Sequence, residues 1–254
     1  MVVRPLTPGP EVAALTADSP IGPILERLRV IALAGAGLGL LVGGIGGRLA
    51  MFLLRVTSPA FVDGRISDDG FEIGRFTLSG TYNLLGIGIG AGLVGAAVYL
   101  LVAPWLIGPV WFKRFTAALG AGIVVGAMLV HADGIDFTVL EPLWLAVGLF
   151  VAIPMLFGAL IGPAVAWCRR PDSWVNTGNR RWIVPVAVLT FFPLSFILVG
   201  VIGLIMVLWA PVGSLLGSLR FASSGALRLA VRGMFLAIPV LALTQLIGTI
   251  RLLV

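Results

Sequence analysis

Seven carboxylates stand in two short stretches of an otherwise apolar chain: Asp63, Asp68, Asp69 and Glu72, then Asp133, Asp136 and Glu141. Hard oxygen donors are what calcium or magnesium requires. Asp68, Asp69, Glu72, Asp133, Asp136 and Glu141 are therefore the candidate ligands of a divalent cation, the only cofactor the residues offer. The spacing is not that of an EF-hand, because Arg65 occupies the first ligand position of a loop whose glycine would be Gly70. The competing account is structural. Asp69-Gly70 and Asp133-Gly134 favour tight turns, and acids at helix starts offset the helix dipole. Turns and caps are the stronger expectation; recognition of a partner is a third.

Two cations bear on the same residues. His131, the sole histidine, lies two residues before Asp133. One imidazole does not build a histidine metal site, and its ordinary pKa of ~6.5 leaves pH sensing as the alternative to a solvated residue. Arg48 lies inside an apolar run. If that helix reaches Leu54, Arg48 sits roughly 9 Å from its outer end at 1.5 Å per residue. A charge at that depth faces the interior and takes a partner, with Asp69, Asp136 and Glu141 the candidates in that order. If the span instead ends near Gly47, Arg48 snorkels to the headgroups.

Other motifs are empty. Gly90-Ala91-Gly92-Leu93-Val94-Gly95 fits the dinucleotide pattern, but no strand precedes it and no acid follows about 20 residues on. No nucleophile elbow, zincin pair or phosphate loop is present, so no catalytic residue is assigned and the chain is not expected to be an enzyme. The single cysteine, Cys168, excludes an intramolecular disulfide and a cysteine metal cluster.

The elements that position these residues are membrane helices. Of 254 residues 59% are hydrophobic and 11% charged, with a mean hydropathy of +1.11, against roughly 25% charge in soluble domains. Six runs are apolar enough to span: Val30–Leu54, Tyr82–Ala103, Phe115–Val130, Leu143–Trp167, Trp182–Trp209 and Val231–Ile250. About 20 residues cross ~30 Å of hydrocarbon, so the third is short and the fifth long. Pro185 and Pro193 are read as kinks in the fifth. Six of the seven tryptophans fall at or near span ends, where indole prefers the headgroups. Gly35, Gly39, Gly43 and Gly47 repeat every fourth residue in the first run, a face along which another helix can approach closely.

The expected fold is an all-α, polytopic bundle of about six membrane helices with glycine-rich packing faces. Residues 1–29 are expected to be a flexible cytoplasmic tail without a cleavable signal, and 30–168 a four-helix unit. Asp69-Gly70-Phe71-Glu72 resembles Asp133-Gly134-Ile135-Asp136, and Phe76-Thr77-Leu78 resembles Phe137-Thr138-Val139. These pairs raise a duplication of 30–103 in 115–168, with chance resemblance the alternative. A basic cytoplasmic loop, 169–181, follows. Residues 182–254 supply two more helices, with 210–230 interfacial.

The net charge of +6 sets sixteen arginines and Lys113 against 11 acids, and the basic residues are scattered through short loops. That pattern fits anionic lipid headgroups better than nucleic acid. Counting basic residues by side favours both termini in the cytoplasm, with the loop after the fifth run fitting worst. The leading functional expectation is a non-enzymatic protein of the bacterial plasma membrane, acting through an acidic extracytoplasmic surface as an envelope or assembly factor. Its partners would be lipid and a membrane protein or a second copy of itself. The alternative is a small transporter or channel using Arg48 and the outer acids.

Overall fold

A computed structural model describes residues 22–59, 77–178, 180–190, 192–218 and 225–253, side chains at 135, 136, 210–218, 225–228 and 231 excepted. Among these the chain is helical, with no strand. In order the helices are α1 (Gly22–Thr57), α2 (Leu78–Val102), α3 (Val110–Leu129), the short α4 (Ile135–Val139), α5 (Leu143–Arg169), α6 (Arg180–Thr190), α7 (Leu194–Ser218) and α8 (Gly225–Leu253). Five of them, α1, α2, α3, α5 and α8, contain stretches long and apolar enough to cross a membrane. The chain is a multi-pass α-helical membrane protein.

α1 begins at Gly22, so residues 22–29 belong to the helix and not to a tail. Pro23 causes no break, because a proline in the first turn removes an N–H that has no helical acceptor anyway. The helix is not uniform. Ile31–Gly35 and Gly39–Ile45 form wider, π-helical turns, and Gly46–Thr57 returns to regular α geometry. Lipid tails are as apolar as leucine, so helix association depends on close packing. A methyl group built on Gly35 would lie 2.7 Å from the Gly92 carbonyl, and one on Gly39 would overlap the Gly88 carbonyl. On Gly43 it would stand 3.0 Å from the Gly88 Cα, but on Gly47 nothing approaches closer than Leu84 at 3.8 Å.

α2 lies at the centre. The three glycines of its dinucleotide-like pattern face three different neighbours: Gly90 the Leu198 side chain of α7, Gly92 the α1 backbone, and Gly95 the Phe157 ring of α5. On the far side, Gly158 of α5 lies against the Ala117 carbonyl and the Ala121 methyl of α3. One core joins the first half of α1, α2, α5, α6 and α7 around Ile31, Leu93 and Ile161; a second surrounds Leu54, Val130, Phe137 and Leu246.

The run expected as a fifth span is a hairpin. Arg181, at the start of α6, reaches Glu26 near the start of α1. Phe192, just after α6, stacks on Tyr82 in the first turns of α2, with ring centroids 4.4 Å apart. By Gly203 the chain is back beside Leu28 of α1. Its apolar residues are continuous, and hydropathy therefore reads the arms as one helix. Pro193 makes the break: proline lacks a donor and disfavours helix in the residue before it. The turn is closed instead by Phe192 N–H to Leu189 O at 3.2 Å and Ser195 N–H to Phe192 O at 2.8 Å. Pro185 stays inside α6.

This reverses the last helix. Phe235 of α8 lies 6.4 Å from Trp105, between α2 and α3. Gln245 donates to Ala127 near the finish of α3, and Ile250 shares a groove with Leu143 and Trp144 at the start of α5. Gly22 and Leu253 consequently lie at opposite ends of the bundle. Where six spans were expected, five helices among the described residues are long and apolar enough to cross a membrane, and the run Trp182–Trp209 is divided between α6 and α7. The backbone across 210–230 is helical to Ser218 and again from Gly225.

Candidate functional site

At the end where α1 starts, a charged cluster joins three elements. Glu26 and Arg29 are three residues apart on α1, a spacing that places side chains on one face. The guanidinium grips the carboxylate as a fork, Nε to Oε2 at 3.0 Å and Nη2 to Oε1 at 2.6 Å. Arg29 is 1% exposed at its side chain, a depth at which an arginine needs a counter-charge. Its Nη2 also donates to the Cys168 carbonyl at 3.1 Å, in the last turn of α5, where helix carbonyls have no partner of their own. Asn176 Nδ2 donates to that same oxygen at 3.0 Å.

Arg181 of α6 completes the arrangement, its Nη2 3.0 Å from Glu26 Oε2. One carboxylate is thus shared by a buried guanidinium and a half-exposed one. Trp174 and Trp182 flank this edge, with Arg180 5.2 Å from the first ring and Arg181 5.9 Å from the second. Arg29 Nη1, Ser173 Oγ and Asn176 Oδ1 are buried without a hydrogen-bond partner among the described residues. Sequence reading placed Glu26 and Arg29 in a tail; their three-residue spacing was the available signal. Charge-assisted bonds of this kind are among the stronger polar links in proteins, and here they tie α1, α5 and α6 together.

At the opposite end, Arg48 is half-buried. It donates to Thr81 Oγ1 from Nε at 3.2 Å and from Nη2 at 2.9 Å, and to the Thr77 carbonyl at 3.4 Å. Thr77 in turn caps α2, its hydroxyl accepting the Gly80 N–H at 3.2 Å. The segment after α3 docks on the end of α1. Ser58 Oγ accepts the Glu141 N–H, and Thr57 donates to the Glu141 carbonyl.

Of the candidate ligands, Asp68, Asp69 and Glu72 lie outside the described residues, as does the Asp136 side chain. Asp133 and Glu141 are exposed. Asp133-Gly134 stands in a turn closed by the Gly134 N–H to the His131 carbonyl at 3.2 Å. His131 is exposed and edge-on to Phe137, with centroids 6.1 Å apart. The threonines of the two similar loops act differently: Thr77 is a cap, whereas Thr138 bonds back to the Gly134 carbonyl within α4. No group of three metal-ligating side chains occurs among the described residues.

A groove of about 710 Å³ between α5 and α8 is lined by apolar residues, among them Trp144, Val151, Met155, Leu246 and Ile250. No protein-family model, curated protein or solved structure matches the chain.

Proposed function

We propose that the chain is a non-enzymatic protein of a bacterial cytoplasmic membrane that works by binding at its water-facing ends, as an envelope or assembly factor. The observation behind this reading is where polar groups sit. Threonine hydroxyls within the helices bond back to their own carbonyls: Thr116 to Phe112, Thr190 to Ala187, Thr244 to Leu241 and Thr249 to Gln245. Meanwhile α1 and α2 meet through glycine backbones. The arginine clusters and the exposed acids stand toward the ends, where a soluble or membrane partner can reach them.

The same reading places the start of α1 in the cytoplasm. If the hairpin returns to its own end, the order of the helices along the sequence assigns to that side Arg4, Arg27, Arg29, Lys113, Arg114, Arg169, Arg170, Arg180, Arg181, Arg220, Arg228 and Arg232. It assigns Arg55, Arg65, Arg75 and Arg251 to the other. Twelve against four is a stronger positive-inside bias than the six-span arrangement allows. The acidic stretches then face outward, where a partner or a divalent cation would meet them. The glycine faces are read as what holds the first four long helices together.

The hairpin favours a second reading, transport, because helices that enter and return are a recurring feature of transporters and channels. Purified protein in sealed vesicles separates the two. Binding by the ends predicts no flux of monovalent ions, divalent ions or small anions above empty vesicles. In cells, crosslinkers attached in the Asp133–Glu141 loop should capture a discrete partner. Solute flux abolished by Arg48→Leu would replace the binding reading with transport.

A further inference from the structure

We infer that the α6–α7 hairpin is a retractable plug, latched by the carboxylate of Glu26. The inference rests on the hairpin's geometry and is independent of the binding reading. Two kinds of contact hold this bundle. The pairs α1–α2 and α3–α5 meet through backbone, with Gly39 on Gly88 and Gly158 on Ala117, so any separation costs a whole close-packed surface. The hairpin shares the core of α1, α2 and α5 through Leu189, Phe192 and Ile202, but the glycines at its contacts face side chains and not backbone. Leu198 reaches toward Gly90, Leu28 of α1 toward Gly203, and the Phe192 ring covers Gly86.

Both arms open at one end, and the chain entering α6 passes through Gly178, whose φ of +59 belongs to a conformation other residues rarely adopt. Fixing the arm there falls to Arg181, which shares Glu26 with Arg29. The two links differ in strength. Arg29 is buried and doubly bonded to the carboxylate, whereas Arg181 is 51% exposed and singly bonded. The latch therefore parts on the Arg181 side, leaving the buried pair intact. Phe192, 5% exposed and stacked on Tyr82, is the second hold, at the tip. Withdrawal removes Leu189, Phe192 and Ile202 from the buried cluster of α1, α2 and α5 to which Cys168 belongs, and so opens that cluster to water.

Cys168 is 2% exposed and is the chain's one thiol, which makes it the reporter. The test is its rate of reaction with a small water-soluble maleimide, in protein held in lipid nanodiscs. Arg181→Ala should speed labelling about fivefold, the factor that the loss of roughly 1 kcal/mol from an exposed ion pair supplies. Phe192→Ala should also speed it, and Arg180→Ala, on the same helix, should leave it at the wild-type rate. General loosening is monitored by Ala146→Cys in a Cys168→Ser background, with and without Arg181→Ala, because Ala146 is fully buried away from the hairpin. The thiol introduced there should stay protected in both. Wild-type labelling rates in both Arg181→Ala and Phe192→Ala would show a fixed hairpin. Equal exposure of the thiol introduced by Ala146→Cys would show unfolding; either result overturns the plug.

Discussion

Ser58 and Glu141, 83 positions apart, meet through a single hydroxyl: Ser58 Oγ accepts the Glu141 N–H at 2.8 Å while donating to the Leu54 carbonyl at 2.7 Å. This joint fastens the segment between α3 and α5 to the last turn of α1. Ser58→Ala would leave a sheltered N–H without an acceptor, which costs about 1–3 kcal/mol. Thermal unfolding in detergent should show the loss. Ser58→Thr, which keeps the hydroxyl, should recover most of it.

The glycine contacts predict a graded series. Gly39→Ala and Gly92→Ala drive a methyl into the facing backbone, and each should cost about 1–3 kcal/mol, the usual range for overpacking. Gly39→Leu with Gly43→Leu should cost more and lower the yield of monodisperse protein. Gly47→Ala, with its nearest neighbour at 3.8 Å, and Gly120→Ala, with nothing inside 4 Å, should be mild. A flat series across these positions would contradict close packing at α1–α2.

An arrangement of five crossings and one hairpin, which we propose from the contacts of α6, α7 and α8, would put the two ends of the described chain on opposite faces. Reporter domains fused before residue 1 and after residue 254 should therefore signal opposite compartments. A cysteine at exposed Thr177 should be labelled from the face of the N-terminal reporter. Cys168 itself is a poor probe of sidedness, because its burial slows it from either face. Matching signals from the two reporters would restore a sixth crossing.

Arg48 and Thr81 should be energetically coupled. Hydrogen bonds to charged groups contribute about 1.5–3 kcal/mol, so a double-mutant cycle of Arg48→Leu and Thr81→Val should show an interaction of that order. Additivity within about 0.5 kcal/mol would mean that the pair does not interact. Parallel cycles of Arg48 with Asp69, Asp136 and Glu141 test whether an outer acid shares the arginine.

The helical class was legible because hydropathy and tryptophan placement both depend on position along the chain. Direction in space does not. Trp182–Trp209 is apolar throughout, and only Pro193 marks the reversal; Pro185, nearby, breaks nothing. The poor charge balance of the loop after this run was the sequence's other sign of the hairpin. Arg48 drew notice as a lone charge in an apolar run, while Glu26 and Arg29 did not, because a short charged pair beside several prolines resembles a tail. The link from Glu26 to Arg181 spans 155 positions, and nothing local records it.

The wide turns of α1 have a consequence for the spacing of its glycines. An ordinary helix holds 3.6 residues per turn, so a residue repeated every fourth position drifts steadily around it and leaves any straight line of contact. Turns closed five residues on hold more than four. Alternating the two kinds brings the mean pitch of Ile31–Ile45 close to the repeat of Gly35, Gly39 and Gly43, which stay in line with α2. Where regular winding resumes at Gly46, the line is lost, and Gly47 falls off the contact. A four-residue glycine period is thus matched to an underwound helix, and one residue inserted or deleted between Gly35 and Gly43 would turn the rest of the stripe away from its partner.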